Sequence, residues 1–506
     1  MFRARGIRYC VAAAASTPSK DVLQAVKITE DKLDDLSPKK ITEILDKYIV
    51  GQTDGKKAVA ISLRNRWRRR QLQSEDMRKE VVPKNMLLIG PTGVGKTEIA
   101  RRMARITNAP FIKVESTKYT EVGFKGKDVE SIIEELYANA KSKARRALEE
   151  ERRTEAEEMA LEIVTSAWMA RNRLKSYTSS STEKAEEEDE EDDDEEAEET
   201  PRKGKAGEEK AGSREEQRKE FKEHYTTKYK DDIVTIEVSL PPAQKPQLPG
   251  GIDAQSVGAL LGLAGDGGAR RQKKAVNKKV SEAMKISTQE ALDKLIDENS
   301  VNQLARTLAE EEGVVFIDEI DKVVEQTGTG SSDVSSTGVQ QDLLPLVEGS
   351  NVTMKDGSVI ATDNILFICS GAFHTSKTSD MIAELQGRLP VRVELKPLTE
   401  ADFRRILTEP KYNLLLQHTE MMKTEKIDLQ FTPDGIDQLA KVTCSVNNQG
   451  QNIGARRLHT VLERVLDKYS FDCDEYEGKT VSIDAATVKE ATDKLEKNVN
   501  LSKFLL

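Results

Sequence analysis

Residues 85–97 read Asn-Met-Leu-Leu-Ile-Gly-Pro-Thr-Gly-Val-Gly-Lys-Thr, a short apolar strand pattern followed by a glycine-rich loop. The loop matches G-x-x-x-x-G-K-[ST] and lies between a strand and a helical pattern, which is the context that this phosphate-binding motif requires. Backbone N–H groups of such a loop surround phosphate oxygens, and the following helix presents the positive end of its dipole. The residues expected to bind the phosphate groups are Gly90, Gly93, Val94, Gly95, Lys96, Thr97 and Glu98.

A second apolar run, residues 314–317, ends in the carboxylates Asp318 and Glu319. Hydrolysis of a nucleoside triphosphate needs one anion beside the metal ion and one group that orients or deprotonates the attacking water. Asp318 suits the first role together with the Thr97 hydroxyl, Glu319 suits the second, and Lys96 should reach the β- and γ-phosphates. The two motifs predict a site for ATP and Mg²⁺. The alternative, a glycine-rich turn and a solvated pair of acids, is weakened by the strand that precedes each motif.

Helical patterns, strands and glycine-rich loops alternate around these motifs, which predicts an α/β fold with a parallel sheet. A length of 506 residues gives room for several domains. We expect the first part of the α/β domain over residues 21–141 and its second part over 275–395, where helical periodicity resumes. Residues 142–274 form a predicted insertion, and residues 396–506 a mainly helical C-terminal domain.

The charge is concentrated in one place. The formal net charge is −10, but the run from Glu186 to Glu199 holds thirteen acidic side chains, and without it the net charge would be +3. Bulk charge therefore does not indicate a nucleic-acid partner. The run lies within residues 179–217, which contain too little apolar surface to offset the entropy of ordering and are predicted to be disordered.

The four cysteines are scattered and form no C-x-x-C pair. That spacing supports neither a disulfide framework nor a zinc site and indicates a reducing compartment. No apolar run approaches the roughly 18 residues of a membrane helix, so no membrane partner is expected.

The first twenty residues carry Arg3, Arg5, Arg8 and Lys20 and no acidic residue. Arginine-rich, acid-free and potentially amphipathic N-termini are typical of mitochondrial import signals. Residues 1–20 are therefore predicted to be a targeting leader, and the mitochondrial matrix the destination. A frayed basic tail is the alternative.

Seven blocks of sequence, in the same order along the chain, resemble one protein family. They cover residues 49–52, 64–69, 90–97, 109–115, 342–349, 384–390 and 452–459. Through them the chain resembles HslU (also called ClpY), the AAA+ ATPase of the HslUV protease, over about residues 37–506 apart from the insertion. The resemblance implies a P-loop AAA+ domain, an inserted and largely helical intermediate domain, and a small C-terminal domain.

The resemblance also implies roles for single residues. Arg388 matches an arginine finger that enters the active site of the neighbouring subunit, which requires a ring, a hexamer in this family. Arg456 matches the sensor-2 arginine, which touches the nucleotide and couples it to rotation between domains. Val50 corresponds to a contact with adenine, and Glu384 to a position linked to the nucleotide site.

The resemblance also implies roles for two further segments. Phe124 and Lys125 fall where the family carries a Gly-Tyr-Val-Gly pore loop, and the lysine departs from that pattern. A ring that tolerates a charged pore, or that mixes this subunit with a paralogue, would accommodate it. At the C-terminus, Phe504, Leu505 and Leu506 resemble the tail that docks on the HslV peptidase; a frayed end is the alternative.

The combined interpretation is an ATPase that unfolds and translocates protein substrates into HslV. No serine or cysteine triad context surrounds His224, His374, His418 or His459, so peptide hydrolysis must come from a partner. A ClpX-like unfoldase is the nearest alternative, although its usual zinc-binding cysteines are missing. An AAA+ nucleic-acid motor is the second, since residues 64–70 are strongly basic, and a non-catalytic scaffold is the third.

Overall fold

The computed structural model describes residues 36–119, 127–183, 216–239, 273–324, 334–449 and 452–497, with the backbone alone for 173–183, 239, 273, 334–337 and 494–497. The chain divides into two compact units. One comprises the described residues up to Ala144 and from Ser300 onward, and the other comprises residues 145–299. The predicted leader, Phe124, Lys125, the acidic run and the C-terminal tail lie outside the described residues.

The strands are numbered in chain order. They are β1 Met86–Ile89, β2 Phe111–Glu115, β3 Ile233–Ser239, β4 Lys273–Lys279, β5 Val314–Asp318, β6 Asn351–Thr353, β7 Val359–Ala361, β8 Leu366–Gly371, β9 Val391–Glu394, β10 Asp428–Phe431 and β11 Thr480–Ile483.

The helices are numbered in the same way. They are α1 Pro38–Asp46, α2 Thr53–Arg70, α3 Glu75–Glu80, α4 Lys96–Ile106, α5 Ser131–Glu151, α6 Arg153–Glu183, α7 Val280–Leu295, α8 Glu298–Glu312, α9 Val334–Glu348, α10 Ala383–Arg388, α11 Glu400–Thr408, α12 Leu414–Thr424, α13 Pro433–Gln449, α14 Arg456–Phe471, α15 Cys473–Tyr476 and α16 Ala485–Lys497. Residues 216–224 are also helical.

A parallel sheet organises the larger unit. Within the described residues it has five strands in the order β2-β5-β8-β1-β9. The register places Ile317 beside Cys369 and Leu88 beside Ser370. Because the strands are parallel, the loop after β1 and the two carboxylates at the end of β5 reach the same edge of the sheet, where such folds bind their ligands. The predicted α/β fold with a parallel sheet is confirmed.

The sheet and the helices α1, α2 and α4 share one hydrophobic core. Its most deeply buried side chains include Leu45, Val59, Leu88, Ile99, Phe316 and Ile368. Fully burying a side chain of this size contributes about 1.5–3 kcal/mol. The hydroxyl of Ser37 accepts a hydrogen bond from the N–H of Lys40, and Pro38 is the first residue of α1. We call the described residues 36–144 and 300–395 the sheet domain.

Residues 399–497, within the described ranges, form the C-terminal domain, which has its own core, and residues 396–398 connect it to the sheet domain. Side chains of α11 to α14, α16 and the parallel pair β10–β11 build that core, among them Phe403, Leu429, Leu439, Leu462 and Ile483. The hydroxyl of Thr432 accepts a hydrogen bond from the N–H of Gly435 at 3.2 Å, and Pro433 is the first residue of α13. Thr432 therefore caps the start of α13.

The second unit combines α6 and α7 with the antiparallel hairpin β3–β4. Trp168 stacks on Phe221 with ring centroids 4.7 Å apart, and its indole N–H donates to Asp232 at 2.8 Å. Val234, Ile236 and Val280 complete this core. Hydrogen bonding of the indole allows the large ring to be buried without an unpaired donor.

Local details of the insertion differ from the expectation. Residues 273–279 form β4 rather than the start of a helix, because they pair along their whole length with β3. Helix α6 continues to Glu183, into the stretch predicted to be disordered. The compact unit extends to Asn299, beyond the predicted end at Lys274, because α7 packs on α6 and shares its core.

No helix in the described ranges has the length and apolar composition that a bilayer crossing requires. Among the described cysteines, Cys369, Cys444 and Cys473 are free thiols.

Candidate active site

The loop over residues 90–97 connects β1 to α4 at the carboxyl edge of the sheet. Gly93 has φ +73° and Gly95 has φ +102°, a left-handed region that side chains disfavour. A Cβ on Gly93 would also lie 2.0 Å from the carbonyl oxygen of Ile453, so a larger residue does not fit there. The two glycines therefore give the loop the curvature that the phosphate-binding motif requires.

Lys96 begins α4, and its side chain points back into the loop. Its ammonium group donates hydrogen bonds to the carbonyl oxygens of Gly90 and Pro91, the latter at 3.0 Å. Burial lowers the pKa of Lys96, an effect that the carboxylates of Asp318 and Asp321 oppose. The ammonium group is thus held beneath the loop that surrounds the expected phosphate position.

Asp318 ends β5 and is the centre of a polar cluster. One carboxylate oxygen accepts from the hydroxyl of Ser370 at 2.6 Å, and the other lies 2.9 Å from the Lys113 ammonium and 3.3 Å from the Thr97 hydroxyl. Burial acts to raise the pKa of Asp318, but the hydrogen bonds from Ser370 and Lys113 outweigh it and hold that pKa below its usual range. The carboxylate is therefore ionised and fixed in orientation.

Glu319 follows with φ +58°, a conformation that is unusual for a residue with a side chain. The hydroxyl of Ser116 donates to the Glu319 carbonyl oxygen at 2.7 Å, and the Glu319 N–H donates to Asp318 at 3.2 Å. These bonds hold the strained backbone and turn the exposed side chain of Glu319 toward the same space as Lys96.

A cavity of about 580 Å³ contains these groups. From the sheet domain it is lined by Tyr48, Thr92, Gly93, Gly95, Lys96, Thr97, Glu98, Arg101, Arg102, Lys113, Asp318, Glu319 and Gly371. From the C-terminal domain it is lined by Ile406, Pro410, Tyr412, Asn413, Leu414, Gln417, Ala455, Arg456 and His459. A pocket of this size suits a nucleotide, and both domains contribute to it.

The two domains also touch directly at the loop. The N–H of Ala455 donates to the carbonyl oxygen of Gly93 at 3.0 Å. Gly454 has φ +58°, and a Cβ there would lie 2.6 Å from the carbonyl oxygen of Thr92. The turn is held by the buried Asn447, whose amide donates to the Gly454 carbonyl oxygen at 3.2 Å. Arg456, the first residue of α14, is thereby positioned at the cavity.

Comparison with known proteins identifies the family. Residues 86–148 match the ATPase family associated with various cellular activities (AAA), and residues 253–405 match the AAA domain (Cdc48 subfamily). The chain is 58% identical over 512 residues to the ATP-dependent protease ATPase subunit HslU2 of Trypanosoma brucei brucei, with 100% of both chains covered. The HslU1 subunit of the same organism is 43% identical and aligns with 99% of this chain and 95% of its own. HslU of Beijerinckia indica is 44% identical over 93% of this chain and 100% of its own.

This chain belongs to the HslU family. The resemblance seen in the sequence is confirmed, and so are the AAA+ fold and the ATPase activity that it implied. A ClpX-like identity is not what these relatives indicate.

The structure brings together eight of the thirteen residues predicted for the nucleotide site of this HslU-family chain. Those that line the cavity are Gly93, Gly95, Lys96, Thr97, Glu98, Asp318, Glu319 and Arg456. Gly90, Val94 and Val50 are buried and do not line it. Glu384 and Arg388 lie exposed on α10, also outside the cavity lining. The roles of all these residues, and of the positions outside the described residues, stay predictions.

Three further residues of the HslU-family site carry no motif in the sequence. Ser370 and Lys113 bind Asp318, and Tyr48 lines the cavity with the Arg102 guanidinium 4.2 Å from its ring centroid. Ser370 had a recognisable signal, because it ends the apolar run of residues 365–369 as Asp318 ends its own strand. Lys113 and Tyr48 gave no local signal.

The donor set fits a nucleotide with Mg²⁺. Thr97 and Asp318 offer two oxygen ligands on one side of the cavity. Among the described residues no cluster of three or more His, Cys, Asp or Glu side chains could hold a metal ion alone. Mg²⁺ in nucleotide sites takes only one or two protein ligands and completes its shell with phosphates and water, so the HslU residues present are sufficient.

Proposed function

We propose that this HslU-family ATPase uses ATP hydrolysis at this cavity to unfold protein substrates and pass them to an HslV peptidase. The observation that carries the proposal is the convergence of the loop at residues 90–97, the Thr97–Asp318 pair and Glu319 on one space. The relatives' names, which describe ATPase subunits of an ATP-dependent protease, support the link to proteolysis.

Each residue has a chemical role in this proposal. Lys96 and the loop N–H groups bind the β- and γ-phosphates. Ser370 and Lys113 orient the Asp318 carboxylate, which holds Mg²⁺ together with Thr97. When bound, Mg²⁺ neutralises the charge that develops between the β- and γ-phosphates. Glu319 orients and deprotonates the attacking water, and its fixed backbone limits the positions that its carboxylate can reach.

Arg388 is proposed to act on the site of a neighbouring subunit. It lies outside its own cavity and is 52% exposed, with its guanidinium 3.1 Å from Glu348. A guanidinium in trans stabilises the charge on the departing phosphoryl group and is worth roughly 10³–10⁵ in rate in related enzymes. Such an arrangement requires a closed ring, which we propose to be a hexamer.

The composition of the ring and its partners extend the same proposal. Trypanosoma brucei brucei has HslU1 and HslU2 subunits, and both are similar to this chain. This supports a ring that mixes two paralogues. We propose that Phe124 and Lys125 contact the translocated chain, that Phe504, Leu505 and Leu506 dock on HslV, and that residues 1–20 direct the protein to the mitochondrial matrix.

The contacts of the basic segment, residues 64–70, argue against the alternative of a nucleic-acid motor. Arg69 and Arg70 pair with Glu311 and Glu312, each at 2.7 Å, and Arg66 donates to the carbonyl oxygens of Glu311 and Asn364. Burial lowers the pKa of Arg66 to about 10. These arginines therefore make ion pairs and hydrogen bonds within their own chain.

The test is the substitution Glu319→Gln. It keeps the shape of the side chain and removes the base, so we expect fluorescent ATP analogues to bind within about threefold of the native affinity while turnover falls at least about 100-fold. Glu43→Gln, an exposed position on α1, is the matched control and should leave both values unchanged. Native turnover in the Glu319→Gln protein would remove this role.

A further inference from the structure

The side chain of Gln52 binds the backbone of Lys396 through both ends of its amide. Its NH₂ group donates to the Lys396 carbonyl oxygen at 2.8 Å, and its oxygen accepts from the Lys396 N–H at 3.1 Å. We propose that this Gln52 clamp is a positioning device that fixes where the C-terminal domain pivots during the ATPase cycle. The inference rests on the proposed function, since it assigns a role in coupling hydrolysis to movement.

The backbone around Gln52 is built to present this amide. Gly51 has φ +66° and Gln52 has φ +52°, two successive left-handed residues immediately before α2. A glutamine disfavours that conformation, and such strain persists only where surrounding structure holds it. The two hydrogen bonds to Lys396 supply part of that restraint and explain why the side chain, rather than a second glycine, is useful there.

The clamp acts at the edge of the sheet. Strand β9 is the last strand in the described sheet, and it ends at Glu394. The next N–H, that of Leu395, still donates to Ile89 in β1 at 2.7 Å, and the Leu395 side chain is buried. Because successive backbone groups of a strand alternate in direction, the N–H and carbonyl groups of Lys396 point away from β1, toward the edge where no described strand pairs with β9. The Gln52 amide takes the place of a neighbouring strand for this one residue.

Only a short linker separates the clamped residue Lys396 from the C-terminal domain, and this linker is the proposed pivot. Thr399 already belongs to the C-terminal domain, because its hydroxyl and N–H bond Asp402 at 2.7 and 2.9 Å in the cap of α11. Between Lys396 and Thr399 only Pro397 and Leu398 remain. Leu398 packs against both the core of the sheet domain and the core of the C-terminal domain. The geometry therefore places the pivot at residues 397–398.

The position of the pivot matters to the phosphate-binding loop. A Cβ on Gly90, the first residue of that loop, would lie 2.6 Å from the Leu395 carbonyl oxygen, so the two backbones are in close contact. If Lys396 were released, rotation of the C-terminal domain would act on Leu395 and hence on the loop. A cavity of about 200 Å³ lies beside residues 396–398, and Gln52 and Asp402 also line it.

Three substitutions separate the contributions of the clamp in the full-length assembled protein. Gln52→Ala removes both hydrogen bonds. Gln52→Asn tolerates the left-handed backbone but is one methylene too short to reach. Gln52→Glu keeps an acceptor for the Lys396 N–H and loses the donor to its carbonyl oxygen. Gln430→Ala, an exposed glutamine on β10, is the control.

Hydrogen exchange is the direct readout, measured by mass spectrometry on a peptide covering residues 394–399. We expect the Lys396 amide to exchange about tenfold faster in the Ala and Asn variants, with the Glu variant between them and the native protein. In the Ala and Asn variants, the number of ATP molecules hydrolysed per substrate molecule unfolded should rise about threefold or more. The KM for ATP should stay within about twofold, because Gln52 does not line the nucleotide cavity.

Unchanged exchange at Lys396 in the Ala and Asn variants would overturn the clamp. Faster exchange with an unchanged ATP-to-unfolding ratio would overturn its role in coupling. If the native protein itself hydrolyses ATP without unfolding any substrate, the proposed function fails instead, and the exchange data still decide whether the clamp exists.

Discussion

Gly454 and Gly93 meet at the contact between the C-terminal domain and the phosphate-binding loop, and both have left-handed backbones. Ser370 and Lys113 fix Asp318 in a comparable way on the other side of the cavity. At the scale of single residues the site thus depends on two kinds of restraint: close backbone contacts that exclude side chains, and hydrogen bonds that hold a carboxylate ionised.

A residue-scale prediction follows for Gly454. Gly454→Val adds a branched side chain where even a Cβ would lie 2.6 Å from the Thr92 carbonyl oxygen. We expect Arg456 to be displaced from the cavity and ATP affinity to fall about tenfold or more, since the strain and the lost contacts each cost on the order of 1–3 kcal/mol. Isothermal titration calorimetry with a non-hydrolysable ATP analogue measures this affinity.

Gly478→Val is the matched control. Gly478 also has a left-handed backbone, φ +74°, but no atom lies within 4 Å of its Cβ position. Equal loss of nucleotide affinity in both variants would show that backbone strain alone, and not the contact with the loop, explains the effect.

The sequence predicts the chemical role of a residue where that residue belongs to a local motif. Lys96, Thr97, Asp318 and Glu319 each follow a strand pattern that the sequence shows. The partnership of Asp318 with Ser370 was not predictable, because it depends on β8 lying next to β5 with Ile317 beside Cys369. The role of Gln52 was not predictable either, because its partner Lys396 is 344 residues away in the chain.

At the scale of elements, α2 shows how a basic helix is made compatible with a folded interior. Its last turn carries Arg68, Arg69 and Arg70, and the carboxylates of Glu311 and Glu312 at the end of α8 lie against it. Arg69 and Glu312 are buried. Removing one partner of a buried pair leaves an uncompensated charge, which costs far more than the net gain from forming the pair.

The element-scale prediction concerns this pair of helices. Glu312→Gln should lower the free energy of unfolding by about 3–5 kcal/mol, because Arg70 and the neighbouring guanidinium groups lose a counter-charge inside the protein. Urea unfolding followed by circular dichroism measures the change. Glu157→Gln breaks the exposed pair with Arg153 at 3.0 Å and should cost only about 0–1 kcal/mol. Equal effects of the two substitutions would contradict a buried structural role.

Element boundaries were predicted well where capping signals are local and poorly where pairing is distant. Ser37-Pro38 and Thr432-Pro433 mark the starts of α1 and α13, in agreement with the general pattern of a hydroxyl residue followed by proline at a helix N-terminus. Residues 273–279 read Lys-Lys-Ala-Val-Asn-Lys-Lys and carry little apolar alternation, so the sequence did not reveal that they pair with β3, about forty residues earlier. Tertiary pairing overrides weak local preference in such a strand.

At the scale of the whole molecule, the predicted catalytic arginine lies outside the cavity that holds the other predicted catalytic groups. Lys96, Asp318, Glu319 and Arg456 converge on one cavity, while Arg388 lies outside it on α10. The family and its ATPase activity follow from the comparisons. The central claim of the proposal is that a neighbouring subunit supplies Arg388 and so makes hydrolysis depend on the ring.

Complementation between two inactive variants tests that claim most directly. Arg388→Ala and Glu319→Gln proteins are purified, shown by gel filtration to assemble as the native protein does, and assayed for ATP hydrolysis alone and after mixing. The account predicts that each alone loses at least about 100-fold in rate, and that mixed rings recover up to about a quarter of native activity, because one interface in four then pairs an intact Glu319 with an intact Arg388. Native hydrolysis by the assembled Arg388→Ala ring, or no recovery on mixing, would contradict it.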